Sequence, residues 1–238
     1  MFVLGVCLFC NYLWEQKQAN FLILKHVDMR QLATILGIIF FLSHGYLKGQ
    51  LAITGSVGTN SANLITSSEI IPKTTSKLGY FLEVRPSFKL DDRLSAGLGI
   101  QYSAKDYLYV ANIAGPVVGT PVDRWRISYL DFLPQAAISV TNFLSFYAGL
   151  NVGFKVAEPV YVNGKWQELV LPFYKPLDIG ALLGVRFSYK RVELSAHYNR
   201  GLVSINDLVF TDEQGQFIEN SKIFVQNFQV GLGYRFEL

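Results

Sequence analysis

The chain has 238 residues, half of them hydrophobic, with 14% aromatic and only 16% charged, against about 25% charged in an average soluble domain. No run after residue 50 approaches the roughly 18 consecutive apolar residues of a spanning helix, and the formal charge of +3 comes without the clustered basic face of a nucleic-acid binder. A helical membrane bundle beyond residue 50 and a nucleic-acid partner are both excluded, which leaves a sheet with one oily face.

Residues 1–28 fit no targeting pattern and read as an upstream extension. Cys7 and Cys10 lie within it, in an apolar run with no second pair and no βαβ context, so they read as small hydrophobes and not as a redox or metal motif. Residues 29–49 read as a signal peptide. Met29-Arg30 supplies a short basic start, Leu32 to Leu42 the apolar stretch, and Gly49 a small residue at the cleavage point. Removing residues 1–49 takes away Lys17, Lys25, Arg30 and Lys48 together with Glu15 and Asp28, lowering the net charge from +3 to +1.

The domain of residues 50–238 then alternates with period two, a pattern that helical spacing cannot generate. Gln50 to Val57 opens it. Over 78–90, Leu78, Tyr80, Leu82, Val84, Pro86, Phe88 and Leu90 oppose Gly79, Phe81, Glu83, Arg85, Ser87 and Lys89. Residues 94–105 repeat the arrangement. Residues 124–140 change phase near Tyr129-Leu130, which predicts a β-bulge there. Four more strands follow at 143–156, 177–190, 192–202 and 223–236. Tight turns at Asp91 to Arg93, Thr141-Asn142 and Lys190-Arg191 alternate with long segments at 58–77, 106–123, 157–176 and 203–221. Short and long links in strict alternation predict an all-β fold, an eight-stranded antiparallel up-and-down transmembrane barrel with both termini on the short-turn side.

In such a barrel the apolar face meets lipid. Phe88, Tyr189, Tyr234 and Phe236 near the turns, with Tyr80, Tyr102, Trp125, Phe154 and Tyr198 near the loops, form two aromatic girdles at headgroup level. The opposite face lines the lumen and carries Glu83, Arg85, Arg126, Asp131, Asp178, Arg186, Glu193 and Arg235. Eight strands leave a bore just wide enough for side chains to fill, so these charges should pair within it.

His197 is the only histidine beyond the leader, and Ser195 and Glu193 share its face. Residues on one face of a strand are spaced by about 7 Å, too far for Ser195 to bond His197, and Asn199 stands two residues after His197 where a lipid A deacylase-like His-x-Ser run would place serine. A hydrogen-bonding network is the expected role of these three, with a lipid-modifying catalytic set as the alternative and a small-solute pore as the other. One histidine and no cysteine make no usual zinc site, and Gly97-x-Gly99 and Gly231-x-Gly233 precede no helix that could cradle phosphate. Neither metal nor cofactor is expected.

Three stretches carry a resemblance. Tyr129-Leu130-Asp131-Phe132-Leu133-Pro134, Tyr198 to Asn206 (YNRGLVSIN) and the closing Phe228 to Phe236 (FQVGLGYRF) are similar to strands of the PorT-like outer-membrane β-barrel family of Gram-negative bacteria. This chain departs from that pattern in an additional Leu133 before Pro134, in Ser204 where asparagine is commoner, and in two residues after Phe236. The resemblance implies an outer-membrane location, and one member's name is linked to protein secretion, while most members have no assigned activity. The expected function is a non-enzymatic, membrane-anchored platform that assists secretion or cell-surface interactions. Its expected partners are outer-membrane lipid, the barrel-insertion machinery through the last strand, and secretion-system or surface proteins.

Overall fold

The structure, a computed structural model, describes residues 51–66, 74–109, 124–168, 174–206 and 222–238. Residues 1–50, 67–73, 110–123, 169–173 and 207–221 lie outside the described residues. Among the described residues ten strands are formed: β1 Leu51–Thr66, β2 Thr74–Lys89, β3 Leu94–Tyr109, β4 Arg124–Ser139, β5 Leu144–Ala157, β6 Pro159–Val162, β7 Lys165–Glu168, β8 Leu177–Tyr189, β9 Val192–Gly201 and β10 Ile223–Glu237. Every pairing is antiparallel, and the order β3-β2-β1-β10-β9-β8-β5-β4 is closed into a ring by β3 pairing with β4. The chain is therefore a closed eight-stranded antiparallel barrel with the short hairpin β6–β7 appended to β4. Closure leaves no row of backbone amides unpaired around the ring, a requirement for any sheet that crosses hydrocarbon.

The short turns follow from local side chains. Asp91 accepts backbone N–H bonds from Arg93 at 2.7 Å and Leu94 at 2.6 Å, which hold its carboxyl below the usual aspartate range. Thr141 does the same for Phe143 and Leu144 through its hydroxyl. The sequence reading ended the first strand at Val57, whereas β1 runs to Thr66 and β3 to Tyr109. The segment 157–176, read as loop, contains β6–β7. Its turn is Asn163-Gly164, with φ of 50° and 79°, the left-handed pair that a two-residue hairpin turn requires.

The polarity of the wall is inverted relative to a soluble barrel. Leu82, Val84, Ile100, Leu150, Leu183, Leu194 and Leu232 point outward and are exposed, Leu150 at 49% and Leu183 at 64%. Thr54, Glu83, Arg85, Gln101, Lys105, Asp131, Asp178 and Glu193 point inward and are buried. Exposed leucine in water forfeits roughly 25 cal/mol for each Å² of apolar surface; against acyl chains it forfeits nothing. This is the wall of a transmembrane barrel.

One expectation is overturned. β4 holds a single phase throughout, its register with β3 unbroken from Leu94↔Ile138 to Tyr107↔Trp125. The irregularity lies in its other neighbour: Ser128 faces Ala157 and Tyr129 faces Lys155, so the extra residue belongs to β5. Trp125, Ile127 and Tyr129 remain inward, because the lumen itself turns apolar towards the loop end.

Candidate functional site

The lumen is filled in four levels. Nearest the turns, β2, β4, β8 and β9 contribute Glu83 with Arg85, Gln135, Arg186 and Glu193. The Glu193 carboxylate pairs with Arg85 and, at 3.0 Å, with the Nε of Arg186. Arg85 also lies 3.5 Å from Glu83. Arg186 donates to the Oε1 of Gln135 at 2.7 Å and stacks 4.2 Å above the Tyr147 ring. Two cations meet two anions here, so the level is neutral. Below it, towards the turns, a vestibule of about 270 Å³ opens, lined among others by Thr54, Ser87, Lys89 and Arg235.

At mid-height, Tyr147 and His197 are hydrogen-bonded, Oη to Nδ1, at 3.0 Å. Gln101 and Gln229 bond across the bore at 2.8 Å. Gly184 makes this packing possible: a Cβ there would lie 2.5 Å from Cζ of Tyr147 and 2.6 Å from Cβ of His197. Above this sits a polar belt. Lys105 reaches Asp178 at 3.4 Å and lies 4.3 Å over the Tyr129 ring, while Ser103 donates to Asp131 at 2.6 Å. Asn60, Asn151, Asn199 and Asn227 complete it, all buried.

The loop end is shut by hydrocarbon. Tyr107, Trp125, Ile127, Tyr129, Val160, Val162, Tyr174, Ile205, Ile223 and Val225 form one buried cluster. Most come from the loop-end thirds of the strands, with β6 and the Tyr174–Asn206 bridge folding in over them. The alternating sets put Trp125, Ile127 and Tyr129 on one face, that of the lipid-facing girdle, and left Tyr107, Val160 and Val162 in loops, so this inner cluster was not legible from alternation. Only the Asn163-Gly164 turn carries a signal that Val160 and Val162 fold back.

Among the residues singled out in the sequence, Glu83, Arg85, Asp131, Asp178, Arg186 and Glu193 are inward and buried, and Arg235 faces the vestibule. Arg126 does not line the lumen. It stands on the outer face, where its guanidinium grips Asp106 through Nε at 2.6 Å and Nη2 at 3.0 Å. The reason is register: Arg126 is paired directly with Asp106, whose neighbours Lys105 and Tyr107 take the inner face. Of the aromatic set, Tyr80, Phe88, Tyr102, Phe154, Tyr189, Tyr198, Tyr234 and Phe236 stand outward, and Trp125 is turned in at 6% exposure.

Glu193, Ser195 and His197 are not assembled for nucleophilic chemistry. The Ser195 hydroxyl is directed at the Gly231 carbonyl at 3.5 Å, His197 is held by Tyr147, and Glu193 is committed to two arginines. A working set needs the base within hydrogen-bond reach of the nucleophile, and among the described contacts that link is missing.

No protein-family model matches the chain, and no curated protein matches it. Among solved structures it is similar to Neisserial surface protein A, at 14% identity over 78% of this chain and 99% of that one, with a TM-score of 0.48. It is similar also to Ail, the attachment invasion locus protein of Yersinia pestis, at 13% identity over 80% and 100%, TM-score 0.46. The outer membrane protein OprG from Pseudomonas aeruginosa aligns over 82% and 99% at 16% identity, TM-score 0.41.

Proposed function

We propose that the chain is an outer-membrane barrel, exported through the leader at 29–49, that acts without enzymatic activity as a membrane-anchored platform of the PorT-like kind. Its long loops and its turn-side face bind secretion-system or surface partners, and β10 addresses it to the insertion machinery. One observation carries the reading: an apolar wall encloses a lumen that is ion-paired at one level and closed by aromatic and aliphatic side chains at the loop end. Such an interior, with its charges paired, suits a scaffold, and among the described residues Ser195 has no base within reach.

The test is direct. The protein should fractionate with the outer membrane and, reconstituted in planar bilayers, produce no unitary current steps; reproducible steps would make it a pore. Lipid A masses from cells with and without the protein should coincide. A mass difference abolished by His197→Ala would instead establish the lipid-modifying alternative.

A further inference from the structure

The outer face at the loop end departs from the oily wall below it. Asp106 on β3 is paired in register with Arg126 on β4 on one side and with Lys77 on β2 on the other. Directly opposed residues of an antiparallel pair share a face, so Lys77, Asp106 and Arg126 form one transverse row on the outside. Arg124, one outward step further along β4, also pairs with Asp106. The row holds three cations and one carboxylate. Asp106 is fully buried beneath the arginines, Arg124 and Arg126 keep 34% and 22% of their side chains exposed, and Lys77 is exposed. Two positive charges are therefore in excess, and the two arginines are held in place. The Asp106 carboxylate binds Arg126 through two N–H groups, and the Arg126 guanidinium lies 4.4 Å from the Trp166 ring and 5.7 Å from the Tyr80 ring.

The position of the row gives the excess charge its meaning. Descending each strand from it, the outward positions are Tyr80, Leu82 and Val84 on β2, after exposed Leu78 and a one-residue register shift between Lys77 and Tyr80, then Ala104, Tyr102 and Ile100 on β3, and Ser128, Leu130 and Phe132 on β4. Tyr80 and Tyr102 face one another at 6.2 Å between ring centroids. Such a tyrosine pair marks the edge of the hydrocarbon, and the row lies one outward step beyond Tyr80 and two beyond Tyr102, each step rising roughly 5 Å along a tilted strand. The cations thus stand where lipid phosphates stand.

We propose that Lys77, Arg124 and Arg126 form a docking site for the phosphate-bearing headgroup of a lipid in the leaflet around the loop end. Guanidinium groups fixed by a buried carboxylate and flanking rings lose little freedom on gripping a second oxyanion. The Leu82, Val84 and Ile100 surface below receives the acyl chains. The proposal rests on the membrane-barrel reading given above.

The experiment is native mass spectrometry of the full chain refolded in a neutral detergent, offered phosphatidic acid and phosphatidylcholine of identical acyl chains in equal amounts. The wild-type barrel should retain phosphatidic acid in preference, by on the order of tenfold, the scale of one or two charge-assisted hydrogen bonds. Lys77→Gln with Arg124→Gln should erase the preference while leaving the Arg126–Asp106 pair intact. Arg93→Gln with Lys190→Gln, at the turn end, should leave it unchanged, and millimolar inorganic phosphate should not displace the lipid. Equal retention of the two lipids, an unaltered preference in the first double variant, or displacement by inorganic phosphate would overturn the site. A gel shift between unboiled and boiled samples separates this result from loss of the barrel. Should the double variant lose that shift, the single exposed change Lys77→Gln decides, with a reduced preference expected. A wild-type chain that lacks the shift would refute the barrel reading itself.

Discussion

Arg85 shows how single residues hold this interior together. It sits between Glu83 and Glu193, with all three side chains almost wholly buried. Truncating it to alanine leaves two carboxylates facing one cation, Arg186, in a low-dielectric bore. Breaking a buried pair by removing one partner costs about 3–5 kcal/mol. Arg85→Ala should lower the urea midpoint of unfolding from lipid vesicles accordingly, and an unchanged midpoint would show that water fills the lumen and screens these charges. Gly184→Ala tests packing in place of charge. The added methyl meets the Tyr147 ring and the His197 Cβ well inside contact distance, and overpacking of that kind costs roughly 1–3 kcal/mol. The same midpoint, followed by tryptophan fluorescence, should fall. The paired variant Gly184→Ala with Tyr147→Phe should not recover it, because the ring, not the hydroxyl, makes the clash.

At the scale of the strand, alternation did most of the specification. In β5 the outward set Phe146, Ala148, Leu150, Val152 and Phe154 against the inward Tyr147, Gly149, Asn151 and Gly153 was legible directly from the sequence, and the structure places these residues on those two faces. Leu150→Arg therefore puts a charge against acyl chains near mid-strand and should cost about 2–4 kcal/mol of membrane stability by equilibrium refolding. A cost near zero would mean that Leu150 faces water. Alternation failed in β4 for a physical reason. It reports which face is apolar, and it assigns that face to lipid only where the lumen is polar. At the loop end the lumen is filled by Tyr107, Trp125 and Ile127, so both faces near Trp125 carry large side chains and the inner one was mistaken for the outer. The same error placed Arg126 inside. A basic residue on the outer face signals the end of the hydrocarbon, a reading available only once the opposing Asp106 is known.

At the largest scale, the decisive feature is the inversion: acids, bases and amides inside, leucine and valine outside, on an eight-stranded wall closed by the β3–β4 pairing. The number of strands followed from counting alternating runs and short turns. The four-level filling of the lumen did not, because pairs such as Lys105 with Asp178 or Gln101 with Gln229 depend on how far each strand is staggered against the next, and stagger is set by closure of the ring. The account stands on which solvent the wall meets. Beyond the leader the chain has no cysteine, so Ala148→Cys, Leu150→Cys and Val152→Cys can each carry a single nitroxide in reconstituted vesicles. Power-saturation electron paramagnetic resonance should find all three accessible to oxygen and shielded from a water-soluble nickel chelate, with the greatest shielding at position 150. Free collision with the chelate at these positions would contradict a membrane barrel.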